Sequence, residues 1–173
     1  MEINRGQPRK PLLKVITPLK DLSIQPTLIE RDSGKKKFNL DLDYLKEEVY
    51  DIIRTIQDPE KPLSLEDLGV VQDDLITVYQ DSLDSPPTIT IIWVPTTPDC
   101  HLATTIALCL RTKLFRELSC KDAKIDILVQ EGKHTIKDQI DKQVNDKERV
   151  LAAMENEAIR AAIEDLIKER TFY

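Results

Sequence analysis

The stretch Thr88-Ile89-Thr90-Ile91-Ile92-Trp93-Val94 decides the fold. It is filled with β-branched and aromatic residues, and Ile89, Ile91 and Trp93 fall on alternate positions, so an extended strand here has one apolar face. Upstream, Leu75-Ile76-Thr77-Val78-Tyr79 reads as a second strand. Between the two lie Asp81, Ser82, Asp84, Ser85, Pro86 and Pro87, residues with turn chemistry, so the simplest connection is an antiparallel hairpin. Downstream come a helix over about 98–117 and a third strand over about 124–129, where Ile125, Ile127 and Val129 alternate. Strand, helix, strand in that order implies a right-handed crossover and a parallel pair.

Helices flank this centre. Leu42, Leu45, Val49, Ile52, Ile53 and Ile56 recur at helical spacing, with Asn39 or Asp41 as N-cap and an end before Pro59. Ser64-Leu65-Glu66-Asp67 resembles a capping box for a short helix closed by Gly69. Beyond the third strand, Thr135 with Asp138 opens a helix striped by Ile136, Ile140 and Val144. Asn145 with Glu148 then caps a helical region carrying Leu151, Met154, Ala158, Ala162 and Leu166, with a break near Asn156. The expected architecture is α+β, a small mixed sheet of three or four strands packed with helices in a single domain over 41–173.

Residues 1–40 differ from the rest. They hold nine Lys/Arg against four Asp/Glu, and four of the ten prolines, whereas the remainder carries a net charge of −11. This segment reads as a flexible, basic, proline-containing extension. Within it, Pro11–Leu19 would serve as a strand or as a peptide for a partner's groove. A cleaved presequence is the alternative reading, which Glu2 and the prolines oppose.

Composition excludes several classes. The net charge of −6 argues against a nucleic-acid binder, which needs a basic face. No apolar run approaches the ~18–20 residues of a membrane span. Three cysteines without a CxxC pair support neither a disulfide framework nor a zinc finger, and suit a reducing compartment.

The chemistry concentrates in Pro95-Thr96-Thr97-Pro98-Asp99-Cys100-His101. With Thr97 as N-cap and Pro98 at the first helical position, Cys100 falls near the third, among unpaired N–H groups at the positive end of the helix dipole. That setting favours a reactive thiolate, which His101 would assist and Asp99 would oppose. The competing reading packs Cys100 beneath the preceding loop. Cys109 continues the stripe of Leu102, Ile106 and Leu110 and reads as a buried small hydrophobe, whereas Cys120 reads as a surface thiol in a loop. A thiol-dependent enzyme would pair Cys100 with His134 or His101, with an acid such as Glu131. Cys100 and His101 are adjacent and cannot build a zinc site alone.

Three segments resemble the cytosolic iron–sulfur assembly component 2 family, related to the bacterial SufT/PaaD-type domain. They are Val49–Pro62 with Leu65–Leu68, Pro95–Cys100 with Leu102–Thr104 and Leu108–Arg111, and Glu131–Thr135 with Asn145–Val150 and Ala152–Asn156. The wording of the first and third looks closer to the A-type eukaryotic paralogue. The resemblance spans roughly 44–165 and implies a SufT/PaaD-like fold and a non-enzymatic adaptor of cytosolic iron–sulfur protein assembly. Such an adaptor binds a WD40 propeller subunit, in some complexes a helical-repeat scaffold, and client apoproteins; the family is also linked to chromosome segregation. The implied location is the cytoplasm, with the nucleus as a second site.

By the same resemblance Cys100 is the reactive cysteine, Asp58-Pro59-Glu60 the family's acidic turn and His134 part of its Gly-x-His motif. Family members commonly carry histidine just before the cysteine, where this chain has Asp99. Without the resemblance, Asp58 and Glu60 read equally well as a helix-stop turn. One thiolate supplies one of the four ligands that a four-iron cluster usually takes, so no tightly bound cofactor is expected. A cluster or metal ion at Cys100 would be transient and shared with a partner, small thiols or a second copy, and a domain-swapped homodimer is one such arrangement.

Overall fold

The computed structural model describes residues 41–99 and 102–168. The expectations for the basic extension 1–40, including Pro11–Leu19 and Asn39 as a cap, lie outside the described residues. The first described element is α1 (Leu42–Arg54), capped by Asp41, whose carboxylate accepts from the N–H groups of Asp43 and Tyr44 at 3.1 and 3.2 Å. Its stripe of Leu45, Val49, Ile52 and Ile53 is buried, and Ile56 continues the buried line just past the helix end.

Three strands follow: β1 (Ile76–Tyr79), β2 (Thr88–Trp93) and β3 (Lys124–Val129). The sheet order is β1-β2-β3, antiparallel between the first two and parallel between the last two. This is the mixed sheet that the periodicity predicts, with three strands among the described residues. Register stacks Val78, Ile89 and Ile125 in one row, Ile76, Ile91 and Ile127 in the next, and Trp93 beside Val129 in the third. Those rows form the apolar face, and Ile89, Ile91 and Trp93 are fully buried on it. Leu75, expected within the first strand, closes a one-turn 3₁₀ helix over Asp73–Leu75 instead.

Between β2 and β3 runs α2 (Ala103–Glu117), which touches α1, β3, α3 (Lys137–Asn145) and α5 (Glu157–Ile167). Surrounded in this way, it buries nine residues on most of its circumference. Cys109 is among them, and burial pushes its thiol up to about 12, so it is an inert apolar filler as expected. Cys120 is half-buried against the core rather than a plain surface thiol. The remaining helix, α4 (Lys147–Glu155), touches α3 and α5, and Asn156 caps α5 at the anticipated break.

Two capping expectations need correction. Ser64 and Asp67 do form the reciprocal box: the Asp67 N–H donates to Ser64 Oγ at 3.1 Å, and the Ser64 N–H donates to the Asp67 carboxylate at 3.1 Å. No helix grows from it. Gly69, at φ +65°, closes a Schellman motif in which Val70 N–H donates to Leu65 O and Gly69 N–H to Glu66 O, both at 2.9 Å. Start and stop signals one turn apart leave only a turn.

The second correction concerns Asn145, which does not cap the next helix; Asp146 does, accepting from Glu148 and Arg149 N–H. Asn145 instead closes the outer edge of β3. Its amide oxygen accepts from Ile127 N–H at 3.0 Å, and its nitrogen donates to Ile127 O at 2.8 Å. Asp141 takes the next free donor, Val129 N–H, at 2.9 Å. Side chains of α3 thus stand where a fourth strand would pair.

Arg116 of α2 holds α5 by donating twice to Glu164. That bond, ahead of the smaller charge effect, keeps the Glu164 carboxyl below its usual range. A carboxylate depressed on folding stabilises above its unfolded pKa, and that contribution is lost as pH falls through the folded value. Both side chains are about two-fifths exposed, so solvent screening limits the pair to under about 1 kcal/mol. Arg116→Met is therefore expected to lower urea-unfolding stability slightly at about pH 7 and to match the parent at about pH 3. A deficit of equal size at both pH values would assign the effect to packing.

Candidate functional site

Two loops leave the carboxyl ends of the parallel strands β2 and β3, the position where open sheets with helical crossovers commonly place ligand sites. The strands stay joined past their ends, because Gln130 N–H donates to Trp93 O at 2.9 Å. Val94 is then held by Val70 O, and Pro95 is buried, while Thr97, Pro98 and Asp99 are exposed.

Opposite them, the β3–α3 loop turns at Gly132, where φ is +72°. His134 follows and is buried, its Nδ1 accepting from Ile136 N–H at 3.2 Å, so its neutral form carries the ring proton on Nε2. Thr135 joins the loops. Its N–H donates to Pro98 O at 3.0 Å and its hydroxyl to the Asp99 carboxylate at 3.0 Å. A cleft of about 310 Å³ beside this junction is lined by Glu131, Gly132, His134, Thr135 and Lys137. Lys137 bonds Asp141 at 2.8 Å and reaches Glu131 at 3.5 Å, which links the cleft wall to the side chains closing the β3 edge.

Cys100 and His101 lie outside the described residues. The helix α2 begins at Ala103, with Leu102 at the N-cap position and no side-chain cap. Thr97 sits in a bend, so the helix start expected at Thr97-Pro98 lies further along the chain. Thr135, expected to open α3, likewise does not cap it; Ile136 holds that position without a side-chain cap and is exposed. The Thr135 hydroxyl is spent across the loop junction instead.

The structure brings Asp99 to Thr135, the residue that follows His134. It does not show Asp58 or Glu60 joining them. Asp58 is buried and keeps its hydrogen bonds within its own turn, its carboxylate accepting from Glu60 and Lys61 N–H at 2.9 and 2.8 Å while its N–H donates to Leu63 O. These bonds are those of a helix-stop turn, and Glu60 is exposed. Among the described residues, no group of three or more His, Cys, Asp or Glu side chains could hold a metal ion. Nor is any described helix long and apolar enough to cross a membrane.

Sequence reasoning took Asn145 for a cap and passed over Asp141 and the true partner of Thr135. A signal existed for the first: Asn145 and Asp146 are consecutive capping-type residues, and a helix start uses one.

Comparison with known proteins points one way. Residues 46–127 match the family model described as iron–sulfur cluster assembly protein. The chain is 46% identical over 125 residues to the MIP18 family protein galla-1 of Drosophila melanogaster, a match covering 72% of this chain and 57% of that longer protein. It is 45% identical to the MIP18 family protein FAM96A of Dictyostelium discoideum, over 72% of this chain and 92% of that one. With cytosolic iron-sulfur assembly component 2B of Mus musculus it shares 38% identity, over 72% and 73% of the two chains.

Proposed function

Since the chain belongs to the MIP18 family, we propose that it is a non-enzymatic adaptor of cytosolic iron–sulfur protein assembly. In this reading it joins a WD40 propeller subunit, and in some complexes a helical-repeat scaffold, to client apoproteins in the cytoplasm. Cys100 is the functional thiol, and the cluster is cargo. A link to chromosome segregation would follow from clients that act there, and the basic segment 1–40 is an extension outside the adaptor domain.

The observation that carries the reading is the Thr135 junction, which draws the Pro98–Asp99 turn, immediately before Cys100 in the chain, onto the loop holding His134. That arrangement suits presentation of one ligand to a shared site. A lone thiolate leaves most of a cluster's coordination to others, so delivery requires a second protein or small thiols beside it.

Anaerobic co-purification with a propeller subunit, using parent and Cys100→Ala chains, tests this. The substituted chain is expected to retain the propeller while client iron and sulfide fall to near background. Unchanged client loading would remove Cys100 from the function. Turnover of a small substrate abolished by the same substitution would replace the adaptor with a thiol enzyme.

A further inference from the structure

Lys113 lies toward the end of α2 with 1% of its surface exposed, and its ammonium donates to Thr55 Oγ1 at 2.7 Å. An ammonium carries three donors, and burial is costly for a charge that lacks a partner of opposite sign. Among the described residues no carboxylate lies within ion-pair distance of it, and no second acceptor takes its other N–H groups. Lys113 and Thr55 both line a cleft of about 400 Å³ between α1 and α2, so the unused donors face that space.

Most of the remaining lining is acidic or aromatic. Tyr44, Glu47, Glu48 and Asp51 recur at the spacing of one face of α1, and Glu117 stands one turn beyond Lys113 on α2. Glu48 is spent on Ser119 and Asp51 on Arg54. Glu47 and Glu117 are exposed and form no hydrogen bond or ion pair with a described residue. Four carboxylates against one ammonium leave the cleft net negative. Among the described residues no three such groups could hold a metal ion, so the lining suits the spread charge of a guanidinium rather than a divalent ion. Tyr44, 63% exposed, offers that charge an aromatic face.

We propose that this cleft docks a basic, extended segment of a partner protein, with arginine side chains pairing with Glu47 and Glu117 while a main-chain carbonyl accepts from Lys113. Charge complementarity selects that occupant. An acidic segment would add to a surplus of negative charge, and a simple cation would leave the Lys113 donors unused. A peptide supplies both needs, since each of its residues carries a neutral acceptor beside the charged side chain. Lys113 lies about 15 Å along the helix axis from the start of α2 at Ala103. The surface is therefore separate from the loops of the candidate site, and the inference does not rest on Cys100.

The test is fluorescence-anisotropy binding of a labelled oligoarginine peptide to the full-length chain at low salt, with spermine as a competitor that carries charge but no carbonyl. Glu47→Gln/Glu117→Gln is expected to weaken peptide binding about fivefold. Glu155→Gln/Glu157→Gln removes the same charge from the exposed junction of α4 and α5 and should change binding less than about twofold. Lys113→Met is the deciding variant. It makes the cleft more negative, so a purely electrostatic sink would bind the peptide more tightly. Loss of the donor to a carbonyl instead predicts about threefold weaker peptide binding, with spermine competing at least as well as before. Peptide binding by Lys113→Met that is unchanged or tighter overturns the proposal, as does an equal loss for spermine or equal losses from the two glutamate pairs. Circular dichroism melts taken in parallel show whether each variant is folded. The Glu47/Glu117 pair, which breaks no contact within the fold, carries the test if Lys113→Met is not.

Discussion

Asn145→Ala is expected to cost about 3 kcal/mol of stability, because it strips partners from the edge of a sheet that has no fourth strand among the described residues. The side chain accepts from Ile127 N–H and from Arg111, and donates to Ile127 O and to Asp141 O. Ile127 is fully buried, so its freed N–H and C=O cannot simply turn to water. Arg111 is anchored beside them, its Nε donating to Val144 O at 2.8 Å, and burial already holds its guanidinium below the usual arginine range. Urea unfolding followed by circular dichroism should show a lower midpoint at an unchanged slope. Hydrogen exchange at Ile127 should quicken beyond what the global loss explains. Asn145→Asp keeps the acceptor for Ile127 N–H and Arg111 but turns an oxygen toward Ile127 O, so an intermediate loss is expected. If Asn145→Ala costs under about 1 kcal/mol, the edge is closed by something other than this side chain.

Trp93→Ala should cost more, about 4 kcal/mol, as the deletion of a large core side chain does. Trp93 is fully buried at the end of β2, in register with Val129, and its carbonyl holds Gln130 N–H where the two loops of the candidate site begin. A cavity there removes the floor from both loops. Trp93 is the only tryptophan, so unfolding must be read by circular dichroism rather than by emission. Trp93→Phe, which leaves a smaller void, is expected to lose about 1 to 2 kcal/mol and to keep the loops joined. Near-equal stability of Trp93→Ala and the parent would mean that the apolar rows are not the core. Native stabilities are only about 5–15 kcal/mol, so either alanine variant removes a substantial share.

These two residues also mark the boundary between what was legible in the chain and what was not. Trp93 was legible because strand burial is written in period-2 alternation, and Ile89, Ile91 and Trp93 all landed on the buried face. The stripe of α1 and the break at Asn156 were legible for similar reasons, since amphipathic spacing and caps act over a few residues. Asn145 was not. A cap and a strand-edge partner use the same amide, and choosing between them depends on β3, 18 residues away. Thr135 failed in the same way, its hydroxyl being drawn to Asp99 across 36 residues. The start of α2 was misplaced because Thr97-Pro98 carries a sound helix-start signal that the loop overrides, Pro98 O being engaged by Thr135 N–H. At 64–69 both local signals were real, and only their separation of one turn prevented a helix.

Local periodicity and charge segregation by themselves determined the α+β class, the hairpin, the parallel crossover and the difference between residues 1–40 and the rest. Short-range patterns fix which face of an element is apolar, and a strand with its apolar face in place has little freedom of register. Tertiary structure alone decided which polar side chains serve the backbone of a distant element: Asn145 and Asp141 at the edge of β3, and Thr135 at the turn before Cys100. A hydrogen-bonding side chain has several chemically equal partners within its reach, and only the folded chain brings one of them to 3 Å.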